Sequence, residues 1–275
     1  MKILLCTDGS PAAARAARFG LQLARGPAAT VELLGVVEHR DDAGAMRRGL
    51  EELGRELAGA GAPCGIVVRH GHAAEQILNE AEAWGADIIV IGQLGQRGLT
   101  RFLMGSTATR IMQFAPCSVL LVKGDRAVLK SILVCTAGGE PGLRDVAAAG
   151  EVAVGAGSQV TVLHVMSQVP LTDDAYLPDL AATAEDLMAR QTREGVHLQS
   201  ALEQLRERSV PATARVRHGF VVDEILKELR DGNYDLLVIG AHRARGLTRW
   251  LLDDVTAHLV EKAAAPILVV RNTAA

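Results

Sequence analysis

The stretch Ala86–Gly92 reads ADIIVIG, and Tyr234–Gly240 reads YDLLVIG, at an offset of 148 residues (234 − 86). The same offset carries RGLTRFL at Arg97–Leu103 onto RGLTRWL at Arg245–Leu251. Self-similarity at a fixed spacing indicates a repeated structural unit. A short run of branched apolar residues that ends in Gly is typical of a buried strand followed by a turn. The chain therefore contains two related halves, each with such a strand.

The repeat reaches the beginning of each half, but with a different offset. KILLCTDG at Lys2–Gly9 matches SILVCTAG at Ser131–Gly138, 129 residues later (131 − 2). The difference of 19 residues (148 − 129) predicts an insertion in the second half, between its second and third apolar runs. This insertion would extend a helical segment near 173–207. We predict one domain at residues 1–126 and a second at 127–275, joined by a short linker.

Each half alternates short apolar runs with helix-forming stretches. In the first half the apolar runs predict strands near 2–6, 31–37, 65–70, 87–92 and 117–123. Ala-rich or amphipathic stretches predict helices near 11–25, 43–60, 73–84 and 105–114. Such alternation implies right-handed crossovers and a parallel sheet. The predicted fold class is α/β, with two tandem Rossmann-like domains, each a five-stranded parallel sheet flanked by helices.

The composition excludes several classes of protein. Of 275 residues, 49% are hydrophobic and 22% are charged, which is typical of folded globular chains. The formal net charge of −3 gives no electrostatic support for nucleic-acid binding. No apolar run approaches the roughly 20 residues of a membrane-spanning helix, and no signal-peptide pattern is present. We therefore expect no nucleic-acid partner, no membrane contact and a cytoplasmic location.

Candidate binding residues follow the strands, because ligands of open parallel sheets bind beyond the carboxyl ends of the strands. Gly92 and Gly95 are followed, after nine residues, by Gly105 and Ser106. Glycines let the backbone approach an anion closely, and a helix that opens at Gly105 would present free N–H groups to phosphate. Thr107 can add a hydrogen bond. The alternative is a pair of ordinary turn glycines and a helix-capping Ser.

Two other strand ends carry candidate residues. Thr7 and Asp8 follow the first strand, where Asp8 can accept hydrogen bonds from a ribose or help to hold a metal ion. The alternative is that Asp8 or Ser10 caps the first helix. Val36 ends the second strand, where an apolar wall can cover an adenine ring, although it can equally be an ordinary core residue.

Together these motifs resemble the universal stress proteins. Nucleotide-binding members of that family carry the pattern G-x2-G-x9-G-[ST], which is complete here from Gly92 to Ser106. The resemblance covers the chain once per half. Three further segments fit the family: TDGS at Thr7–Ser10, APCSVLLV at Ala115–Val122, and Gly71–Ile77.

The resemblance implies an adenine nucleotide alpha hydrolase-like fold with strand order 3-2-1-4-5. It implies ATP as the cofactor, commonly with a divalent ion such as Mg²⁺. The nucleotide would lie against the residues that match the family's site, namely Thr7, Asp8, Val36, Gly92, Gly95, Gly105, Ser106 and Thr107. It also implies dimerisation, here as an intramolecular pseudo-dimer through the fifth strands, with a homodimer of chains left open.

The second half departs from this pattern at the proposed phosphate positions. Asp8 is replaced by Ala137, Gly95 by Arg243, and Gly105-Ser106 by Asp253-Asp254. Two carboxylates would repel a polyphosphate. We expect them to occupy the anion site themselves, paired with Arg243, or else to cap a helix in solvent. The sequence therefore predicts one nucleotide per chain, held by the first domain.

Residues repeated in both halves favour structural roles. The triplet Arg-His-Gly occurs at 69–71 and 217–219, including the half that lacks the glycine pattern. Arg97 and Arg101 recur in the second half, so salt bridges or contacts between the halves compete with phosphate binding. The histidines show no metal-site spacing. The Cys residues show none either and are expected to be buried structural thiols; they are Cys6, Cys64, Cys117 and Cys135.

The leading function is therefore an ATP-binding stress-response or regulatory protein with slow or no hydrolysis. No catalytic base, arginine finger or Gly-Lys-Ser/Thr phosphate loop can be identified. One alternative is an ATPase or nucleotidyl-transferring enzyme of a related α/β class. The other is a nucleotide-free dimerisation module.

Overall fold

The computed structural model describes residues 1–24, 29–39, 42–59, 64–93, 105–167, 182–241 and 254–271. In its first half, strands and helices alternate as predicted. They are β1 (Lys2–Thr7), α1 (Pro11–Leu21), β2 (Thr30–Val37), α2 (Ala43–Gly59), β3 (Cys64–His70), α3 (Ala73–Trp84), β4 (Ile88–Gly92), α4 (Ser106–Phe114) and β5 (Ser118–Val122). A short 3₁₀ turn at Gln22–Ala24 continues α1.

The second half repeats this order with one more helix before its third strand. Its elements are β6 (Ser131–Thr136), α5 (Gly139–Ala156), β7 (Gln159–Met166), α6 (Ala184–Ala189), α7 (Arg193–Glu207), β8 (Ala212–His218), α8 (Val221–Asp231), β9 (Leu236–Gly240), α9 (Asp254–Lys262) and β10 (Ile267–Val270). The extra helix α6 lies in the region of the predicted insertion. Residues 168–181 of that region lie outside the described part of the chain.

The strands form a single ten-stranded sheet in the order β3-β2-β1-β4-β5-β10-β9-β6-β7-β8. Within each half the order is 3-2-1-4-5 and the described pairings are parallel. The two halves meet where β5 pairs antiparallel with β10, with Val119 opposite Val269. The predicted α/β class with two Rossmann-like units is confirmed. The boundary at residue 126 stays a prediction, and residues 123–130 connect β5 to β6.

The first crossover shows how local sequence sets the geometry of the carboxyl edge. Ser10 caps α1, because its Oγ accepts from the Ala13 N–H at 3.2 Å and Pro11 occupies the first turn. Small residues of α1, among them Ala16 and Ala17, are buried against the sheet. The helix can therefore approach the strands closely, and its N-terminus lies beside the end of β1.

The sheet is covered on both faces, as the uninterrupted apolar runs predicted. Adjacent residues Leu4 and Leu5 of β1 are both fully buried, although successive strand residues point to opposite faces. Among the described residues, no helix is both long and apolar enough to cross a membrane.

The cysteine prediction holds for two of the four residues. Cys6 and Cys117 are buried, whereas Cys64 and Cys135 are only half-buried, and all four are free thiols. Cys64 begins β3, which lies at one edge of the sheet and is less covered than the central strands. Burial raises the pKa of each of these thiols, so none is an activated thiolate.

Candidate functional site

A pocket lies at the carboxyl edge of the first domain, between the ends of its central strands and the first turn of α4. Seven of the eight predicted site residues line this first pocket: Thr7, Asp8, Val36, Gly92, Gly105, Ser106 and Thr107. The eighth, Gly95, lies outside the described residues, as do Arg97 and Arg101. The structure therefore brings together residues that are up to about a hundred positions apart, because parallel strands deliver their ends to one edge.

The floor and one wall of the first pocket are apolar. Val36 and Leu34 of β2 contribute to it, together with Ile77 of α3 and Ile91 of β4. The polar lining groups lie at the turn after β1, at Gln93 after β4 and at the start of α4. A planar apolar ring with a polar, anionic extension is the ligand shape that this division favours.

The turn after β1 is fixed by its own hydrogen bonds. Thr7 Oγ1 accepts from the Gly9 N–H at 3.0 Å, and Asp8 Oδ1 accepts from the Ser10 N–H at 2.9 Å. Gly9 has a φ of +80°, which favours glycine. The turn holds the Asp8 carboxylate exposed at the rim of the pocket, where it can accept hydrogen bonds from a ligand hydroxyl.

Gly92 has a packing role that the sequence did not indicate. A Cβ at this position would lie 3.2 Å from the Ala12 carbonyl oxygen and 3.2 Å from the Ala16 Cβ. The glycine therefore allows α1 to pack directly on the end of β4. Close approach of the helix is therefore an observed reason for a glycine at this position.

Gly105 differs, because nothing in the described structure lies within 4 Å of a Cβ placed there. Its φ of −64° would suit any residue. The glycine leaves open space at the N-cap of α4, whose first turn contains no acidic residue. The first-turn N–H groups of a helix lack partners within the helix and carry the positive end of its dipole, so this opening can receive an anion.

The second domain has a pocket at the equivalent place, but its polar lining differs. Asp145 of α5 lines this second pocket and is only 4% exposed. The offset of 129 aligns Asp145 with Ala16. Its carboxylate lies 2.2–2.6 Å from the position that a Cβ of Gly240 would occupy, so it lies directly against the end of β9. This carboxylate was not predicted from the sequence, although aligning the two repeats shows an acidic residue where the first domain has Ala16.

The sequence prediction for Asp253, Asp254 and Arg243 is tested only in part. Asp254 is exposed in the first turn of α9, as a helix-capping carboxylate would be. Asp253 and Arg243 lie outside the described residues. The second pocket thus has an acidic helix start where the first pocket has a neutral one.

A buried histidine packs beside the first strand of the second domain. His197 of α7 lies 2.7 Å from Thr136 Oγ1, measured from Nε2. Thr136 aligns with Thr7, and the offset of 148 aligns His197 with Gly49. Burial, with a smaller contribution from His164, lowers the pKa of His197 and favours its neutral ring. At Gly49 a Cβ would meet no described atom within 4 Å, so the first domain is open there.

The Arg-His-Gly triplets have the structural role that their repetition favoured. Arg69 pairs with the buried Glu80, and Arg217 Nε donates to the buried Glu228 at 2.6 Å. Each pair ties the third strand of its domain to the helix that follows. His70 is exposed, whereas His218 Nε2 donates to the Ala182 carbonyl at 3.0 Å.

Sequence comparison agrees with the fold. The sequence profile of the universal stress protein family matches residues 1–123 and again residues 129–271. Universal stress protein Rv2005c of Mycobacterium tuberculosis is 28% identical over 207 residues, which cover 72% of this chain and 64% of that protein. Universal stress protein MJ0531 of Methanocaldococcus jannaschii is 33% identical over 138 residues, 44% of this chain and 81% of that protein.

Structural comparison extends this agreement over both halves. The crystal structure of a universal stress protein from Archaeoglobus fulgidus matches 99% of this chain and 98% of its own, with a TM-score of 0.71 and 16% identity. The overall fold of this chain is thus shared with a solved structure over both halves. The chain belongs to the universal stress protein family, which it matches twice.

Proposed function

We propose that this chain is a regulatory ATP-binding protein that holds one nucleotide, in the first pocket, with slow or no hydrolysis. Adenine would lie against Val36 and Ile77, the ribose near Thr7 and Asp8, and the phosphates before α4. The match to the family's nucleotide-binding pattern supports this assignment.

One observation carries the proposal: the two equivalent pockets differ in the groups that an anion would meet. At the first pocket, α4 begins at Gly105 with open space and no acidic residue in its first turn. At the second, α9 begins with Asp254, and the Asp145 carboxylate lies against Gly240. Like charges at an interface cost several kcal/mol. A polyphosphate is therefore favoured at the first pocket and disfavoured at the second.

The residues of the first pocket fit ATP better than they fit a protein-bound metal. Asp8 is the only carboxylate among the described lining residues, and the described chain contains no group of three or more His, Cys, Asp or Glu that could hold an ion. When Mg²⁺ accompanies ATP it neutralises part of the phosphate charge. Its ligands would then be phosphate oxygens and water, with Asp8 able to contribute one oxygen.

Identifying the nucleotide that the protein retains distinguishes this proposal from its alternatives. The full chain is incubated with ATP and Mg²⁺, desalted and denatured, and the released nucleotide is identified by chromatography. Retained ATP is the expected result. Steady conversion to ADP would favour the ATPase alternative, and a protein that retains no nucleotide would favour the dimerisation module.

We also propose that the β5–β10 pairing serves as the dimer contact of the family within one chain. It covers two strands that would otherwise be exposed edges. The sequence leaves a homodimer of chains open, and a cytoplasmic location stays a prediction. Light scattering at several concentrations tests the first, because a chain that already contains its own dimer contact should remain monomeric.

A further inference from the structure

Two buried cationic side chains contact the opposite domain near the β5–β10 pairing, which we call the seam between the domains. Lys123 directly follows β5 and Arg271 directly follows β10, at the repeat offset of 148 (271 − 123). Their exposed fractions are 1% and 5%. Buried Lys and Arg side chains are rare unless their charges are paired or hydrogen-bonded, so their partners explain why they are there.

Each cation binds the C-terminal end of a helix in the other domain. Lys123 Nζ donates to the Ala263 carbonyl at 3.0 Å and also to the Val260 carbonyl, at the end of α9. Arg271 donates through Nη1 and Nη2 to the carbonyls of Ala115 and Met112, at the end of α4. The arrangement is reciprocal, because each domain caps a helix of its neighbour.

The capped end of α4 is the end away from the first pocket. The last carbonyls of a helix lack partners within the helix and carry the negative end of its dipole, so a cation there is favourable. α4 has only nine residues, which makes it about 13 Å long. Its first turn lines the first pocket through Ser106 and Thr107. A displacement at Met112 or Ala115 would therefore move the residues proposed to hold the phosphates.

We propose that Arg271, a residue of the second domain, is a positioning residue for the nucleotide site of the first domain. This inference rests on the proposed function, since it assigns a regulation to the same pocket. The second domain, whose own pocket disfavours nucleotide, would then contribute to binding by holding α4. Coupling of this kind is reciprocal, so nucleotide bound at α4 would also strengthen the seam.

Lys123 provides the matched control, because it makes the same contacts with α9, which borders the second pocket. Three variants of the full chain are compared: Arg271→Met, Arg271→Lys and Lys123→Met. Calorimetry measures ATP affinity, and amide hydrogen exchange without nucleotide measures the opening of α4 and α9. The Lys variant retains a charge that can reach two carbonyls, as Lys123 does.

We expect Arg271→Met to weaken ATP binding about fivefold or more and to speed exchange in α4 but not in α9. Arg271→Lys should recover part of the affinity. Lys123→Met should speed exchange in α9 and change ATP affinity less than about twofold. Equal effects of the two Met variants on ATP affinity, or an unchanged affinity in Arg271→Met, would overturn the inference.

The two proposals fail in distinguishable ways. If the parent chain binds no ATP, the proposed function is wrong and the positioning role for nucleotide falls with it. Selective opening of α4 in Arg271→Met would then show only that Arg271 holds this helix, whereas ATP binding by the parent with unchanged affinity in Arg271→Met would overturn the inference alone. If Arg271→Met opens α4 and α9 to the same extent, Arg271 stabilises the contact between the domains in general, and its specific role at α4 is overturned.

Discussion

The two pockets of this chain share one backbone geometry but differ in the acidic groups that they present to a ligand. In both, the ends of the strands and a short helix surround an apolar wall. In the first, the polar side is made of a turn, a glycine and the neutral start of α4. In the second, Asp145 and Asp254 replace Ala16 and Ser106. The two domains therefore share a fold, while a few side chains at the carboxyl edge differ between them, and on these the proposed difference in ligand binding depends.

The same comparison applies to a groove at the aligned place in each domain, next to α1 and α2 in the first and to α5 and α7 in the second. His197 fills it in the second domain by hydrogen bonding to Thr136, whereas Gly49 leaves it open in the first. In the first domain this open groove shares Thr7, Asp8 and Val36 with the first pocket. The second domain is thus better filled where the first is more accessible.

The largest effect is expected when the first domain is given the acidic helix start of the second. Changing Gly105→Asp and Ser106→Asp together should weaken ATP binding by about a hundredfold or more, because like charges then meet at the phosphate position. The open space and ordinary φ at Gly105 should let this variant fold. Calorimetry measures the loss, and circular dichroism checks the fold.

The matched control is Asp254→Ser in the second domain. It should leave both affinity and stoichiometry unchanged, because Asp145 remains against Gly240 and Ala137 still replaces Asp8. A new ATP site in this control would show that Asp254 alone excludes nucleotide.

The filled and open grooves give a second, smaller contrast. His197→Ala should lower the free energy of unfolding by about 2 kcal/mol, because it removes a buried ring and its hydrogen bond to Thr136. At the aligned position, Gly49→Ala should raise it by about 0.5–1 kcal/mol, because Ala favours the helix and meets no atom. Urea unfolding monitored by circular dichroism measures both changes. Effects of the same sign would contradict the proposed difference between the grooves.

The last expected effect is a dependence of stability on pH that is due to the seam cation Lys123. Burial lowers the pKa of Lys123 from 10.5 to about 8, against a weaker opposing effect of Glu261, and lowers that of Arg271 to about 10. Above pH 8 the unfolded chain therefore binds more protons at Lys123 than the folded chain does, and stability rises with pH. The rise due to Lys123 should be about 1 kcal/mol between about pH 8 and pH 9.

Lys123→Met isolates this contribution. Unfolding free energies of the parent and the variant are measured at the same pH values, so that all other titrating groups cancel. The difference should grow with pH in favour of the parent. A difference that is constant with pH would mean that Lys123 keeps its ordinary pKa when folded.

The fold could be predicted almost completely from the sequence, because its signals are local or repeated. Apolar runs mark the strands, Ser10 and Pro11 mark the start of α1, and the repeat offsets reveal two copies. The first pocket followed from the same information, since parallel strands must deliver their ends to one edge. The sequence alone therefore predicts that Thr7 and Ser106 lie at the same pocket, as the structure shows.

The features that the sequence did not predict depend on contacts between elements, which no local sequence pattern specifies. Asp145 is in an Ala-rich helix, and its burial against Gly240 follows only from how α5 packs on β9. His197 required the register of α7 against β6. Lys123 and Arg271 look like surface residues after two strands, and only the antiparallel seam turns them toward the opposite helices. The half-buried Cys64 reflects a strand at the sheet edge.

The most direct test of the difference between the two pockets is the number of ATP molecules bound per chain. Calorimetric titration of the full chain with ATP and Mg²⁺ measures it, on protein first stripped of nucleotide. The charge difference between the pockets predicts one ATP per chain, lost in the Gly105→Asp, Ser106→Asp variant. Two equivalent sites per chain, or a single site that survives this double substitution, would contradict it.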